Sequence, residues 1–121
     1  LQLQRMSEPG DRPFTRHLRS VLKSQRPPLP DINDIAESLH LSPRTLSRRL
    51  MEEQTSFREL KLIAAHNCAK NMLLDGISVE AVAADLGYEN AANFRRSFRS
   101  INHCSPTKWM TAFRRGELAE S

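Results

Sequence analysis

Two segments of this chain follow one pattern of apolar and polar residues. Ile35 and Val82, near the starts of the two copies, are 47 positions apart, whereas Arg48 and Arg96 are 48 apart. The second copy therefore has one extra residue in a turn between two helices. The corresponding residues are Ile35-Ala36, Leu39, Ser42, Leu46, Arg48 and Leu50 in the first copy and Val82-Ala83, Leu86, Asn90, Phe94, Arg96 and Phe98 in the second.

Residue spacing and polar caps predict the helices in each copy. In the first, apolar residues recur at i, i+3, i+4 and i+7, as on one face of a helix. These residues are Ile32, Ile35, Ala36 and Leu39. Asp31 and Ser42 are expected to cap the two helices of this copy, and Ser78 and Asn90 those of the second. Each copy is thus predicted to form a helix-turn-helix.

The remaining segments predict three more helices and no useful strand. The first runs from about Thr15 to Lys23, and the extended prolines that follow it cannot continue it. A capping box at Ser56–Glu59 begins a long helix that reaches about Leu74. Ser105-Pro106 begins the last helix. We therefore expect an all-α fold of about seven helices, with two helix-turn-helix subdomains joined by a long central helix, a homeodomain-like pair.

These helices predict the domain organisation of the chain. The expected segments are a flexible linker or tail at 1–12, a first helix-turn-helix subdomain at 13–54, a connecting helix at 55–75, a second subdomain at 76–115 and a frayed tail at 116–121. Because the chain begins with Leu1, it is expected to be a piece of a longer protein.

Composition and charge narrow the function. A mean hydropathy of −0.54 and the lack of a long apolar run argue against a membrane span, and no secretory signal is visible. The net charge of +4 is modest, but the basic residues cluster on the second helix of each copy. A helix-turn-helix places this helix in the major groove of DNA. The clustering therefore predicts a DNA-binding protein.

Other chemistry has little support in the sequence. His66 and Cys68 are two positions apart, so they point about 200° apart on a helix and cannot share a metal ion. No glycine-rich phosphate loop and no spaced nucleophile–base pair is present. We therefore expect no enzyme activity, no metal and no cofactor, with all four histidines at the surface or partly packed.

The second copy resembles the signature of the AraC/XylS transcription regulators. Its pattern is Ala83-x-x-Leu86-Gly87-Tyr88, then Phe94-x-Arg96-x-Phe98, Ser105-Pro106 and Trp109, and the resemblance covers about Phe14 to Arg115. It implies a bacterial transcription factor, an activator that acts in the cytoplasm at the nucleoid. The implied partners are double-stranded promoter DNA, RNA polymerase and an effector-binding or dimerisation domain N-terminal to this fragment.

Three positions depart from the family pattern. Gln54 and His103 stand where the family often has glycine, and Ala65 replaces an arginine that is common in the long helix. If the first two sites need a positive φ, they carry a conformational cost.

The resemblance and the exposed helix faces indicate the site residues. The positions that the family most often uses for base reading correspond to Arg44, Ser47, Arg48, Ala91, Ala92, Asn93 and Arg96. Arginine is suited to guanine and Asn93 to adenine. Phosphate contacts are expected from Ser42, Arg49, Ser56, Asn90, Arg95, Arg99, Ser105, Thr107 and Lys108.

The sequence leaves several alternatives open. Arg48 or Arg96 could form an ion pair with a neighbouring acid, and Asn93 could be a solvated amide. The phosphate set could be ordinary caps and surface. At the level of the protein, the alternatives are a nucleic-acid-binding protein without sequence preference and a helical protein-interaction module.

Overall fold

A computed structural model describes residues 12–117, and this part of the chain contains α-helices and no strand. The helices are α1 (Pro13–Lys23), α2 (Ile32–Ser38), α3 (Pro43–Glu52), α4 (Phe57–Leu74), α5 (Val79–Asp85), α6 (Ala91–Asn102) and α7 (Pro106–Arg114). The expected all-α class with about seven helices is confirmed. The linker predicted at 1–12 and the tail predicted at 116–121 lie outside the described residues, apart from Arg12, Gly116 and Glu117.

Polar caps begin the helices where the sequence predicts them. The side-chain oxygens of Ser42, Ser78, Asn90 and Ser105 each accept a hydrogen bond from the backbone N–H three residues later, at 2.8–3.1 Å. Asp31 caps α2, and Asp34 completes a reciprocal capping box with it. At the start of α4, Ser56 accepts from the backbone N–H of Glu59 at 3.1 Å, which is one of the two bonds of the expected capping box. Each bond satisfies a donor that the first turn leaves without an intrahelical partner.

The chain divides into two compact units, Leu1–Ala65 and His66–Ser121, with the boundary inside α4. The first unit has a core of eight buried residues, which are Leu18, Leu22, Ile35, Ala36, Leu46, Leu50, Phe57 and Leu60. The core of the second consists of Ala69, Leu73, Val82, Ala83, Phe94, Phe98 and Trp109. Each unit thus has its own apolar core, to which one half of α4 contributes.

Both turns close in the same way. The backbone N–H of Leu41 donates to the carbonyl of Ala36 at 2.9 Å, and that of Tyr88 donates to Ala83 at 2.9 Å. The residue before each donor has a left-handed backbone, with φ of 60° at His40 and 87° at Gly87. Since Ser42 and Asn90 cap the next helices, the extra residue of the second copy is Glu89.

The two sites where the family often has glycine do adopt a positive φ. Gln54 has φ of 67° and His103 has φ of 65°, just after α3 and α6 respectively. The conditional prediction of a conformational cost at both positions therefore applies. Left-handed backbone is uncommon for residues other than glycine, and histidine tolerates it better than most.

Candidate nucleic-acid interface

Two buried residues fix the orientation of α3 and two fix that of α6. Leu46 and Leu50 on α3, like Phe94 and Phe98 on α6, are 0% exposed. Each pair is four residues apart and so lies on one helix face. Arg48 and Arg96 lie midway between the members of their pairs and are exposed. The packing of each core therefore presents one arginine outward from each helix.

The base-reading residues predicted on α3 are all exposed. Arg44, Ser47 and Arg48 lie at its surface. Arg48 Nη1 donates to Glu52 Oε2 at 3.2 Å, and the two side chains are 61% and 63% exposed. An exposed i,i+4 ion pair contributes only about 0.5 kcal/mol, so it holds the arginine loosely. The alternative of an ion pair with a neighbouring acid is thus realised for Arg48 in the free protein.

The base-reading residues predicted on α6 differ in exposure. Ala92 and Arg96 are exposed, whereas Ala91 and Asn93 are half-buried. Ala91 packs against the core of the second unit. Arg96 Nη1 donates to Asn93 Oδ1 at 2.8 Å, so these two predicted readers are in contact with each other.

Three arginines of the predicted phosphate set have different surroundings. The guanidinium of Arg49 lies over the ring of Phe14, 4.1 Å from its centroid. Arg95 pairs with Glu80 of α5 at 3.1 Å. A backbone hydrogen bond at Glu80 and the bond from Arg95 lower the pKa of that carboxyl. Arg99 is exposed on the last turn of α6.

The other predicted phosphate contacts lie at helix starts. Ser42, Ser56, Asn90 and Ser105 are engaged as caps, as described above. Thr107 and Lys108 are exposed in the first turn of α7. Helix N-termini favour anions because their N–H groups and dipoles point outward.

A contact that the sequence did not predict holds the start of α1. The N-cap residue of α1, Arg12, makes no side-chain capping bond. Glu53 replaces it: its carboxylate accepts from Thr15 N at 2.8 Å, from Thr15 Oγ1 at 2.6 Å and from Phe14 N at 3.4 Å. Partial burial raises the pKa of Glu53, but these hydrogen bonds and the charge of Arg12 lower it on balance. The last turn of α3 and the residue after it thus bind α1 through Arg49 and Glu53.

Replacing Glu53 by alanine is expected to destabilise the first unit by about 1–3 kcal/mol, because it leaves buried donors of Thr15 without a partner. Thr15 is 0% exposed in the intact chain, so its N–H and hydroxyl are bonded to Glu53 and not to water. Thermal unfolding followed by circular dichroism would measure the loss. Glu53→Gln is the matched control: it keeps an acceptor oxygen and should lose less. Equal melting temperatures for Glu53→Ala and the original chain would contradict this role.

A polar cluster joins α4 to α6 through His66, Ser97 and Tyr88. His66 is only 2% exposed. Its Nε2 is 3.0 Å from Ser97 Oγ, to which the Tyr88 hydroxyl also donates at 3.2 Å. The ring stacks on Phe94 with an angle of 13° between the planes. The prediction that every histidine is at the surface or partly packed is wrong for His66, because its position on α4 faces the second core.

Residues 12–117 contain neither a candidate metal site nor a candidate membrane span. In this range no three His, Cys, Asp or Glu side chains are grouped so that they could hold a metal ion. None of the helices in the same range has both the length and the apolar character needed to cross a membrane.

Comparisons with known proteins agree with this architecture. A family model described as a helix-turn-helix domain matches residues 35–112. An uncharacterized helix-turn-helix-type transcriptional regulator of Mycobacterium bovis is 36% identical over 99 residues, which are 81% of this chain and 29% of that protein. The regulator YdeO of Escherichia coli K12 is 31% identical over 83 residues, 69% of this chain and 33% of its own. The chain thus spans about a third of the length of these relatives.

Solved structures show the same fold. A DNA-binding transcriptional dual regulator from Escherichia coli K-12 has a TM-score of 0.72 at 25% identity, covering 81% of this chain and 95% of that one. The DNA-binding domain of AdpA, crystallised with a target DNA, has a TM-score of 0.59 at 22% identity, covering 89% and 95%. With the family match over residues 35–112, the repeated helix-turn-helix identifies the chain as a member of the AraC-type family of DNA-binding transcription regulators.

Proposed function

We propose that this chain binds double-stranded promoter DNA sequence-specifically, with α3 and α6 as recognition helices in two adjacent major grooves. The observation that carries the proposal is the pair of exposed arginines, Arg48 and Arg96, each opposite two fully buried residues on its helix. A guanidinium in the major groove makes a forked contact with O6 and N7 of guanine. The same position on two helices thus supplies two base-reading contacts in one chain.

The length of α4 supports the use of adjacent grooves. Its 18 residues span roughly 27 Å at 1.5 Å per residue, which is comparable to the ~34 Å of one turn of B-DNA. Base reading is proposed for Arg44, Ser47 and Arg48 on α3 and for the exposed face of α6. Phosphate contacts are proposed for a second set of exposed or capping residues, which are Ser42, Arg49, Ser56, Asn90, Arg95, Arg99, Ser105, Thr107 and Lys108.

The whole protein is proposed to be a bacterial transcription activator that acts at the nucleoid beside RNA polymerase. An N-terminal effector-binding or dimerisation domain is part of this proposal. The relatives support it in two ways: they carry the names of transcriptional regulators, and this chain matches only about a third of their length.

Footprinting with the purified chain on a selected duplex tests the docking arrangement. We expect two protected patches about one helical turn apart, as two recognition helices on one face of the duplex require. A single patch would contradict the use of two adjacent grooves. Protection of every sequence alike, with a steep salt dependence, would instead indicate a binder without sequence preference. No protection at all would favour a protein-interaction module.

Substituting the two arginines tests base reading. Arg48→Ala and Arg96→Ala should each weaken discrimination at one or two base pairs by about 1–3 kcal/mol, which is the value of a forked contact with guanine. Titrations against single-base-pair variants of the operator would measure this change. Arg115, which lies after α7 and 3.9 Å from Glu117, provides the control substitution Arg115→Ala. A uniform loss over all sequences would make either arginine a phosphate contact.

A further inference from the structure

We propose that Asn93 positions Arg96 and does not read adenine, so that α6 selects guanine through Arg96 alone. This inference rests on the proposed function of α6 as a recognition helix. The observation is the hydrogen bond of 2.8 Å from Arg96 Nη1 to Asn93 Oδ1. Because a guanidinium has only donors, the amide oxygen and not the amide nitrogen must face it.

The backbone at Asn93 is anchored on both sides. Asn93 lies in the first turn of α6, where its N–H donates to the capping Oδ1 of Asn90 at 2.8 Å. The next residue, Phe94, is 0% exposed and anchors the turn in the core. Asn93 itself is half-buried, whereas Arg96 is exposed. Arg96, a long and exposed donor, thus bonds to an acceptor on an anchored turn.

The contact limits what each side chain can recognise. An asparagine reads adenine with both ends of its amide, accepting from N6 and donating to N7. In this structure Asn93 Oδ1 accepts from Arg96 Nη1 at 2.8 Å, so a contact with adenine would require the same oxygen to accept from Arg96 and from N6 together. The guanidinium carries five donors in a rigid fork, so its Nε and Nη2 edge stays available for O6 and N7 of guanine. The pair thus favours guanine recognition by Arg96.

The first copy lacks this arrangement. Thr45 occupies the position 48 residues before Asn93, and its N–H and hydroxyl are engaged with Ser42. Arg48 is held by Glu52, whose counterpart in the second copy is the short, neutral Ser100. Arg96 has no acid at that position, and its acceptor comes from the preceding turn. On α6 the acceptor therefore precedes its arginine in the sequence, whereas on α3 the acceptor follows its arginine.

Three variants separate positioning from reading. Asn93→Ala removes the acceptor, whereas Asn93→Asp keeps a carboxyl oxygen for Arg96 but has no amide N–H₂ to donate to adenine. In Asn93→Ala, discrimination for guanine at the base pair assigned to Arg96 should fall roughly two- to tenfold. The reason is that the Arg96 side chain must then be ordered on binding. It should be retained in Asn93→Asp, although the added charge weakens binding to every sequence. The double variant Asn93→Ala/Arg96→Ala should discriminate no worse than Arg96→Ala. Ser100→Ala is the control on the same helix.

The opposite result is equally well defined. If Asn93 reads adenine, Asn93→Asp loses preference at a separate A·T pair, and Asn93→Ala adds a further loss in the Arg96→Ala background. Either result would overturn the inference and leave the proposed function intact. If the original chain prefers no sequence, the proposed function fails instead.

Nuclear magnetic resonance of the free protein tests positioning without DNA. The hydrogen bond restrains Nη1 of Arg96, so separate Nη–H signals are expected in the original chain and in Asn93→Asp. These signals should be averaged in Asn93→Ala. Identical signals in all three proteins would contradict the positioning role, whatever the DNA measurements show.

Discussion

Replacing Phe94 by alanine is expected to destabilise the second unit by about 3–5 kcal/mol, the range for deleting a fully buried aromatic ring. Phe94 is 0% exposed, and its ring centroid lies 5.4 Å from that of Tyr88 and 5.9 Å from that of Phe98. It also stacks on His66. The substitution therefore removes contacts from α4, from the turn before α6 and from α6 itself.

The chain contains a suitable probe for this measurement. Trp109 is the single tryptophan of the sequence, and its ring lies 6.1 Å from that of Phe98 in the second core. Urea unfolding followed by Trp109 fluorescence therefore reports on the second unit. The matched control is Leu46→Ala, at the corresponding position of the first copy, which should cost about 2–5 kcal/mol in the first unit. A loss below about 1 kcal/mol for Phe94→Ala would show that the site collapses around the missing ring.

Acidification is expected to destabilise the second unit through His66. Burial, and then the positive charge of Lys70, lower the pKa of His66 from 6.5 to about 4. Its Nδ1 has no hydrogen-bond partner among the described residues, so an added proton there would have no acceptor. In the neutral tautomer with its proton on Nε2, the ring donates to Ser97 Oγ and satisfies its one N–H.

Stability decreases on acidification because the folded and unfolded chains bind a proton at His66 at different pH values. Between pH 6.5 and 4 the unfolded chain binds a proton at His66 that the folded chain does not, so stability falls as the pH falls. The stability contributed by the neutral His66 ring is fully present above pH 6.5 and is lost progressively towards pH 4. Lowering the pKa of His66 from 6.5 to about 4 corresponds to a loss of about 3 kcal/mol once the pH is below 4.

Urea unfolding followed by Trp109 fluorescence from pH 7 to pH 4.5 tests this expectation. His66→Leu should remove most of the pH dependence of the free energy of unfolding in this range. His103→Asn is the control, because His103 is exposed and asparagine also tolerates its left-handed backbone. The same pH dependence in the original chain and in His66→Leu would rule out His66 as its source.

Much of the fold follows from local patterns. The positions of Ser42, Ser78, Asn90 and Ser105 mark helix starts because a cap bonds only to N–H groups two or three residues away. The buried positions follow from the 3.6-residue period, which places Leu46 and Leu50 on one face regardless of what they pack against. The outward placement of Arg48 and Arg96 follows from the same period.

Other features depend on contacts between distant residues. Glu53 caps α1 by bonding to Thr15, which is 38 positions away in the sequence, and Ser97 bonds to His66, which is 31 positions away. Neither separation leaves a periodic signal in the sequence. The left-handed backbone at His40 has no local signal either, since a histidine stands where the second copy has Gly87. Such contacts form only once the cores bring the helices together.

The amino-acid pattern suffices for the helices, their caps and the exposed arginine on each recognition helix, because these depend on residues within one or two helical turns. The folded chain adds the partners of the polar groups: Asn93 for Arg96, Phe14 for Arg49, Ser97 for His66 and Thr15 for Glu53. Long side chains can choose among several acceptors, and burial at a core is set by neighbouring helices. Which partner each polar group takes therefore depends on packing in three dimensions and not on spacing along the chain.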